Sequence, residues 1–236
     1  MIQAVTFDLW NTIFENKFYA EMRLHWFIQF LSKNGIFQSN KDIKNAFKVS
    51  FQFPKRNFED NNHIYTEDRI LKMLKTLKID LSKKQKAIIK REFEEVMLND
   101  PPSLKKGAKK TLEELYSDYK IGLISNTGIT PGRIIVKIFQ EYDILQYFQV
   151  KIFSDEIGYY KPHPIIFNTA LKKLECAPHN VIHIGDLLET DIKGAKDCNM
   201  YTIWFNDSKS AKLENIQPDY EIHEICEVLQ IIQKLS

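Results

Sequence analysis

An aspartate close to the N-terminus stands where a side chain could act on a ligand. The run from Ile2 to Phe7 mixes apolar and β-prone residues without glycine or proline, which predicts a buried strand that ends at Asp8. Ligands of open α/β sheets bind outside the carboxyl ends of the strands, so a carboxylate here can act as a nucleophile or a metal ligand. An aspartate after a strand is also a common turn residue. Its meaning therefore depends on the rest of the chain.

Three further polar groups follow later predicted strands. They are Ser125-Asn126-Thr127, Lys161-Pro162, and Gly185-Asp186 together with Asp191. Each group alone is typical of an ordinary turn or a solvated charge. A parallel sheet brings the carboxyl ends of its strands to one edge, so together the groups predict one site.

Three carboxylates in one crevice imply a cation. Asp8, Asp186 and Asp191 would repel one another and raise each other's pKa without one. Mg²⁺ prefers oxygen ligands and is often held by one or two carboxylates together with a substrate phosphate. The sequence therefore predicts Mg²⁺ as a cofactor.

The elements that must position these residues alternate between strand and helix. Strands are predicted at 120–125, 150–154, 181–184 and 200–205, and helices at 108–118, 133–140, 164–174 and 191–198. Thr130-Pro131 reads as an N-cap followed by proline at the first helical position. The alternation predicts an α/β fold, with a doubly wound, mainly parallel, Rossmann-like sheet and helices on both faces.

The interval between the first two strands has a different pattern. Apolar residues recur at helical spacing over about 17–33 and 41–51, Thr66 reads as the N-cap of a third helix, and Ser82 as the N-cap of a fourth. We therefore expect a core of residues 1–14 and 100–236, and an inserted all-helical domain of residues 15–99.

Composition excludes several classes of protein. The 236 residues carry 33 Lys and Arg against 31 Asp and Glu, a net charge of +2 that provides no general attraction for nucleic acid or an anionic membrane. The three cysteines are far apart in the sequence, which predicts neither a disulfide framework nor a zinc site and suggests a reducing, cytoplasmic location. No export signal or long apolar segment is evident.

Four ordered motifs resemble those of the haloacid dehalogenase-like hydrolase superfamily. They are Phe-Asp-Leu-Trp-Asn-Thr from Phe7, Leu-Ile-Ser-Asn-Thr from Leu123, Tyr-Tyr-Lys-Pro-His-Pro from Tyr159, and His-Ile-Gly-Asp-Leu-Leu-Glu-Thr-Asp-Ile-Lys-Gly-Ala from His183. The helical insertion is similar to that family's α-helical cap in the first insertion position. The resemblance implies a hydrolase that works through an aspartyl-enzyme intermediate on a small phosphorylated or halogenated substrate.

The resemblance also implies roles for individual residues. Asp8 would be the nucleophile and, with Asp186 and the backbone carbonyl of Trp10, would ligate Mg²⁺, while Asp191 would orient the metal's waters. Ser125 and Lys161 would hold the phosphoryl oxygens, assisted by Asn126. Thr12 is expected to stabilise the turn after the strand.

Trp10 departs from the pattern of the family's phosphatases. They usually carry a second aspartate two residues after the nucleophile, as general acid and base, and tryptophan cannot transfer that proton. Loss of general acid–base catalysis costs about 10²- to 10⁴-fold in rate. A substrate with a good leaving group, a proton donor elsewhere such as His25 or Glu15, or slow turnover would each accommodate the change.

Two alternatives to a phosphatase follow from Trp10. One is a dehalogenase, because that branch of the family carries an aromatic tyrosine at this position and its aspartate displaces halide from carbon without a metal. Asp186 and Asp191 argue against this reaction, since they would repel an anionic haloacid. The other alternative is a weakly active or inactive member of the family that binds a phosphorylated ligand or a protein partner. We expect an Mg²⁺-dependent phosphatase ahead of both.

Selectivity is expected to come from the inserted helices, because a lid beside the nucleophile can close over the crevice. The candidates for substrate contacts are Arg23, His25, Lys55 and Arg56. The sequence does not determine the substrate or the oligomeric state.

Overall fold

A six-stranded parallel sheet forms the centre of the molecule. The computed structural model describes residues 1–51, 61–209, 213 and 215–235. The strands are Ala4–Phe7 (β1), Lys120–Ser125 (β2), Val150–Phe153 (β3), Val181–Gly185 (β4), Tyr201–Phe205 (β5) and Tyr220–Ile222 (β6). They lie in the order β3-β2-β1-β4-β5-β6, and all five neighbouring pairs are parallel. The predicted α/β fold class is confirmed.

The inner strands are buried because helices cover both faces of the sheet. All four residues of β1 and all five of β4 are buried, which explains why their sequences are nearly continuous apolar runs. One face is covered by α5 (Ala108–Tyr116), α6 (Gly132–Glu141) and α10 (Glu227–Leu235), which share a hydrophobic cluster with β1. The other face is covered by α8 (Pro164–Leu174) and α9 (Lys193–Asp197).

In the described part of the chain, four helices lie between β1 and α5 in the sequence. They are α1 (Ala20–Lys33), α2 (Asn40–Phe51), α3 (Thr66–Leu77) and α4 (Lys83–Glu95), and a short 3₁₀ turn of Val96–Leu98 follows. Their buried apolar residues form a cluster of their own, separate from the clusters on the sheet. We call residues 20–98 the helical insertion.

The helical insertion is joined to the sheet domain by a short pairing of backbones. Asn62 and Tyr159 form an antiparallel bridge. The His63 amide donates to the Gly158 carbonyl at 2.8 Å, and the Tyr160 amide donates to the Asn61 carbonyl at 2.7 Å. The insertion is therefore tied to the segment that immediately precedes Lys161.

Helix ends differ in places from the prediction. Ser82 caps α4 as expected, in a capping box with Gln85. Thr66, however, is the first residue of α3 and its hydroxyl donates to the Ile129 carbonyl at 3.0 Å, so the prediction that it is the N-cap was wrong. The prediction of a Thr130 cap was also wrong, because Pro131 is the N-cap of α6.

The chain between β4 and β5 also differs from expectation. A π-helical turn of Leu188–Ile192 precedes α9, where an uninterrupted helix from Asp191 to Cys198 was predicted. The edge strand β6 and the C-terminal α10 were not predicted. A further α-helix, α7 (Ser154–Ile157), is a single turn directly after β3. No helix in the described part of the chain combines the length and apolar character needed to span a membrane.

Candidate active site

The polar groups that follow β1, β2 and β4 meet at one edge of the sheet. Asp8 directly follows β1, and its amide donates to the Ile184 carbonyl of β4 at 2.8 Å. Ser125 is the last residue of β2, and Asp186 follows the last residue of β4. The parallel register of the three central strands therefore brings these side chains together.

Lys161 lies among buried carboxylates at this edge. Its ammonium group forms ion pairs with Asp8 Oδ1 and, at 2.7 Å, with Asp191 Oδ1. It also donates to the Ile124 carbonyl at 2.7 Å. Only 2% of the lysine side chain is exposed, so the ion pairs are shielded from solvent.

Asn126 holds the backbone of Lys161 in place. Its side-chain oxygen accepts from the Lys161 amide at 2.7 Å, and its side-chain nitrogen donates to the Lys161 carbonyl at 3.2 Å. The sequence analysis assigned Asn126 to the phosphoryl oxygens, but in the structure both of its polar atoms bond the lysine backbone. Lys161 lies in a loop well beyond the end of β3. The two hydrogen bonds with the Asn126 side chain explain how this loop residue is held at the strand ends.

The three carboxylates form a compact acidic group. Asp8, Asp186 and Asp191 each offer an oxygen, and these oxygens lie within 4.8 Å of one another. Asn11 Nδ2 donates to Asp186 Oδ2 at 3.0 Å, and the Leu187 amide donates to Asp191 Oδ2 at 3.0 Å. Both oxygens of Asp191 are thus occupied by protein groups.

The shifts in pKa show how differently the three carboxyl groups are stabilised. Burial raises the pKa of Asp8 to about 8, because the attraction of Lys161 only partly offsets desolvation and the repulsion from the other carboxylates. Burial and the charge of Asp191 raise the pKa of Asp186 to about 6. Burial would also raise the pKa of Asp191, but Lys161 and His183 together lower it to about 2.

Gly185 allows Asp191 to approach the end of β4. A Cβ atom at this glycine would lie 2.4 Å from both Cβ and Cγ of Asp191. Such a contact is far inside van der Waals distance, so any other residue would displace the carboxylate. The glycine before Asp186 is therefore part of what sets the position of Asp191.

A buried histidine behind the acidic group was missed by the sequence analysis. The His183 ring is fully buried in β4, with Nδ1 2.9 Å from Thr6 Oγ1 and Nε2 3.7 Å from Asp191 Oδ1. Burial lowers the pKa of His183, which keeps the ring neutral at pH 7. A histidine inside an apolar strand, in register with Thr6 of β1, was the signal that could have revealed this support.

Ser125 has a buried hydroxyl that is available for a ligand. Its side chain is completely buried, and Oγ has no hydrogen-bond partner among the residues that the structure describes. A buried hydroxyl without a partner loses the free energy of a hydrogen bond. An oxygen of a bound substrate near Lys161 would supply that partner.

Comparison with known proteins identifies the family. The model of the haloacid dehalogenase-like hydrolase family matches residues 2–199, which include the acidic group, Lys161, Ser125, Asn126 and His183. The chain belongs to this family. The predicted family membership is thereby confirmed.

Sequence relatives of this haloacid dehalogenase-like hydrolase are named phosphatases. A glyceraldehyde 3-phosphate phosphatase of Pyrococcus furiosus is 36% identical over 55% of the chain and 53% of that protein, so the match spans about half of the relative's length. A protein of the same name from Pyrococcus abyssi is 28% identical over 99% of the chain and 94% of that protein. The prediction of a phosphatase-type member agrees with these names.

The fold is shared with dehalogenases as well. A 2-haloacid dehalogenase from Pseudomonas syringae superposes with a TM-score of 0.77 over 100% of both chains, at 22% identity. At that level of identity the likeness shows the fold alone. The choice between phosphorus and carbon as the electrophile must come from the site of this hydrolase itself.

A cavity of about 600 Å³ separates the acidic group from the helical insertion. Asn126 and Asp186 line its inner end, and the Trp10 residue also forms part of its wall. The wall further contains three cationic residues, Lys17, Arg23 and Arg69, of which the sequence analysis singled out only Arg23. The cavity lies next to the strand ends, since Asn126 follows β2 and Asp186 follows β4.

The other residues proposed for selectivity or proton transfer are placed differently. His25 is exposed and bonds Gln29, and Glu15 is exposed and pairs with Lys105 at 3.1 Å. Neither is among the described residues that line the cavity. Lys55 and Arg56 lie outside the described residues.

The donor set fits Mg²⁺. Three carboxylates and one ammonium leave a net charge of −2 in a buried space when all are ionised, and a divalent cation balances it. All of the available donors are oxygens, which Mg²⁺ prefers. Because protein groups already contact both oxygens of Asp191, Asp8 and Asp186 are the carboxylates best able to ligate a metal directly.

Proposed function

We propose that this protein is a Mg²⁺-dependent phosphohydrolase that cleaves small phosphate esters through an aspartyl-phosphate on Asp8. The supporting observation is the buried group of Asp8, Asp186 and Asp191 around Lys161, with oxygens within 4.8 Å of one another. Carboxylates this close need a cation, and a phosphoryl group needs both a cation and an ammonium to balance its charge. The names of the sequence relatives support the same reaction class.

Mg²⁺ would be held by Asp8 and Asp186 with the backbone carbonyl of Trp10, and it would neutralise charge on the phosphoryl oxygens. Lys161 and the free hydroxyl of Ser125 would bind those oxygens. Asp191 would act on Lys161, since its contact of 2.7 Å fixes the direction of the ammonium group. Asn126 would keep the lysine backbone in register with the end of β2.

The nucleophilic step follows from the position of Asp8. A carboxylate oxygen of Asp8 attacks phosphorus, the bond from phosphorus to the ester oxygen breaks, and the electron pair of that bond leaves on the ester oxygen. Water then attacks the aspartyl-phosphate, which releases phosphate and restores the carboxylate. The helical insertion, as a cap over the cavity, would exclude other water from both steps.

The weak point of this chemistry is protonation of the leaving group. Trp10 occupies the usual place of the acid, and Asp186 is the only carboxyl group among the described residues that line the cavity. Tyr19 also lines it, but its hydroxyl donates to the Asp100 carbonyl, and burial raises its pKa to about 12. We therefore expect a preference for substrates with leaving groups of low pKa.

The deciding experiment compares phosphate and halide release. p-Nitrophenyl phosphate, acetyl phosphate and 2-chloropropionate would be assayed with Mg²⁺ and with a chelator, using the wild type and Asp8→Asn. We expect phosphate release that needs Mg²⁺ and is lost in Asp8→Asn, and mass spectrometry of acid-quenched protein should find phosphate on Asp8. Chelator-insensitive halide release would assign the protein to the dehalogenase reaction. Absence of all three reactions would identify an inactive binding member.

A further inference from the structure

Arg23 is a buried cation in the wall of the substrate cavity. It lies on α1 in the helical insertion, and only 6% of the residue is exposed. It lines the same cavity as Asn126 and Asp186 of the sheet domain. A charged side chain this deeply buried is rare in proteins unless it is paired.

Arg23 has polar partners but no charged one. Nε donates to the Phe93 carbonyl at 2.8 Å, and Nη2 donates to Thr130 Oγ1 at 2.9 Å. Its guanidinium carbon lies 5.8 Å from the centre of the Tyr19 ring. None of the carboxylates that the structure describes forms an ion pair with it, so several of its five N–H donors remain for another acceptor.

Two other cations near the cavity and the junction form ion pairs. Lys17 contacts Asp100, and Arg133 contacts Glu94, although the Lys17 and Arg133 side chains are 40% and 53% exposed. Burial lowers the pKa of Arg23 to about 10, so the guanidinium still carries its charge at neutral pH. Arg23 is less exposed than Lys17 and Arg133, and of these three it is the one without an acidic partner among the described residues.

The cavity that Arg23 lines extends to Asn126 and Asp186 beside the strand ends. Asp186 is the only acidic residue among the described lining residues, and it lies at the inner end. An anion near Arg23 would thus meet an unpaired guanidinium and the apolar wall formed by groups such as Phe51 and Met97. Guanidinium groups bind carboxylate and phosphate through two parallel hydrogen bonds, which is their strongest mode of recognition.

We propose that Arg23 binds a second anionic group of the substrate, so that the preferred substrates are phosphate esters that carry a carboxylate or a second phosphate. The inference rests on the proposed function, because the ester phosphate is taken to lie at Lys161 and Ser125. Beyond the proposed function, the substrate would carry a second anionic group away from the ester phosphate, and Arg23 would be the residue that selects it.

The test uses pairs of substrates that differ in one anionic group. 3-Phosphoglycerate against glycerol 3-phosphate probes a carboxylate, and fructose 1,6-bisphosphate against fructose 6-phosphate probes a second phosphate. For each pair, the ratio of kcat/KM for the more anionic substrate to that for its partner would be measured in the wild type and in Arg23→Gln. We expect a wild-type ratio above one for at least one pair and a fall of about 10- to 100-fold in the variant.

The ratio separates recognition from a structural role. If Arg23 only holds the insertion against Thr130, its loss should lower the kcat/KM of both members of a pair equally. Arg133→Gln is the matched control, since it removes another arginine that joins the insertion to the sheet domain but does not line the cavity. Its ratios should equal those of the wild type.

Each result decides the proposal. A fall confined to one pair supports it and identifies the anion, whereas unchanged ratios in a folded Arg23→Gln variant overturn it. If that variant does not fold, Arg23→Lys decides, because an ammonium keeps the charge but lacks the planar fork. A ratio lowered by about threefold or more supports the proposal, and an unchanged ratio overturns it. If the wild type hydrolyses p-nitrophenyl phosphate and the ratios are the same in the wild type and in Arg23→Gln, only this inference is refuted. If the wild type hydrolyses no phosphate ester, the proposed function is refuted as well.

Discussion

Nζ of Lys161 lies 2.7 Å from Oδ1 of Asp191, and the two side chains are only 2% and 1% exposed. The contact makes Asp191 a partner of the lysine before any ligand is bound. It also divides the carboxylates by function, since Asp8 and Asp186 are less completely occupied by protein groups than Asp191.

Removing the lysine charge should destabilise the fold. Lys161→Gln leaves Asp8 and Asp191 facing one another in a buried space, and breaking a buried ion pair costs about 3 to 5 kcal/mol of unfolding free energy. Urea unfolding at pH 8 would measure the loss, and added Mg²⁺ should recover part of it. Lys110→Gln, at an exposed pair with Glu114, is the control and should change the value by less than about 0.5 kcal/mol. Equal stabilities of the two variants would contradict the importance of the buried pair.

The two aspartates of the fourth motif should respond differently to substitution. Asp186→Asn is expected to weaken Mg²⁺ binding by more than about 100-fold, and to stabilise the metal-free protein because it removes a carboxylate of raised pKa. Asp191→Asn should weaken Mg²⁺ binding by less than about tenfold while lowering kcat, since it leaves Lys161 without its partner. Titration calorimetry and steady-state kinetics would measure both. Equal losses of Mg²⁺ affinity would show that Asp191 is a direct ligand.

Without Mg²⁺, the stability of the protein should fall as the pH rises from about 4 to about 8. The carboxyl group of Asp8 has a pKa of 3.8 in the unfolded chain and about 8 in the folded protein, because burial disfavours its charge. Between these values the folded state binds more protons than the unfolded chain, so raising the pH favours unfolding. Mg²⁺ should reduce this slope because it favours the ionised carboxylate.

Unfolding in urea at pH 5, 6.5 and 8, with chelator and with Mg²⁺, would measure this dependence. Asp8→Asn serves as the control, since asparagine does not titrate. The difference between the wild type and the variant isolates the contribution of Asp8. The same slope in both proteins would rule out Asp8 as its source.

Replacing Trp10 should restore proton transfer to the leaving group. In the wild type, kcat/KM should depend steeply on the pKa of the leaving group, and an aryl phosphate should give a burst of phenolate followed by slow turnover. Trp10→Asp should flatten the dependence and remove the burst. Trp10→Phe keeps an aromatic wall without an acid and should behave as the wild type. A folded Trp10→Asp variant with an unchanged slope would show that another group already supplies the proton.

The sequence predicts the central sheet of this molecule well because buried strands consist mainly of apolar residues. Strands such as Val181–Gly185 are apolar runs, and the chemistry at their ends follows from where a run stops at a polar residue. The placement of Asp8 and Asp186 at one edge therefore required only the rule for parallel sheets.

Other features depend on contacts between distant parts of the chain. Nothing local to Asn126 shows that its amide will bond the Lys161 backbone, and nothing local to Thr66 shows that its hydroxyl will bond Ile129 instead of capping α3. The burial of Arg23 likewise follows from helices packing around it. Side-chain hydrogen bonds of this kind are decided by tertiary structure, which a single sequence does not reveal.

The backbone pairing between the helical insertion and the segment before Lys161 couples the position of the insertion to the position of the lysine. The Tyr160 amide is bonded to Asn61 of the insertion, and the next amide, that of Lys161, is bonded to Asn126 at the end of β2. We therefore expect a substrate that draws the insertion toward the sheet to shift the Lys161 backbone as well, and by reciprocity we expect an occupied phosphoryl site to favour the same position of the insertion. Contacts between the substrate and the insertion can thus contribute to the alignment of Lys161 beside Asp8, because the two hydrogen-bonded amides belong to consecutive residues.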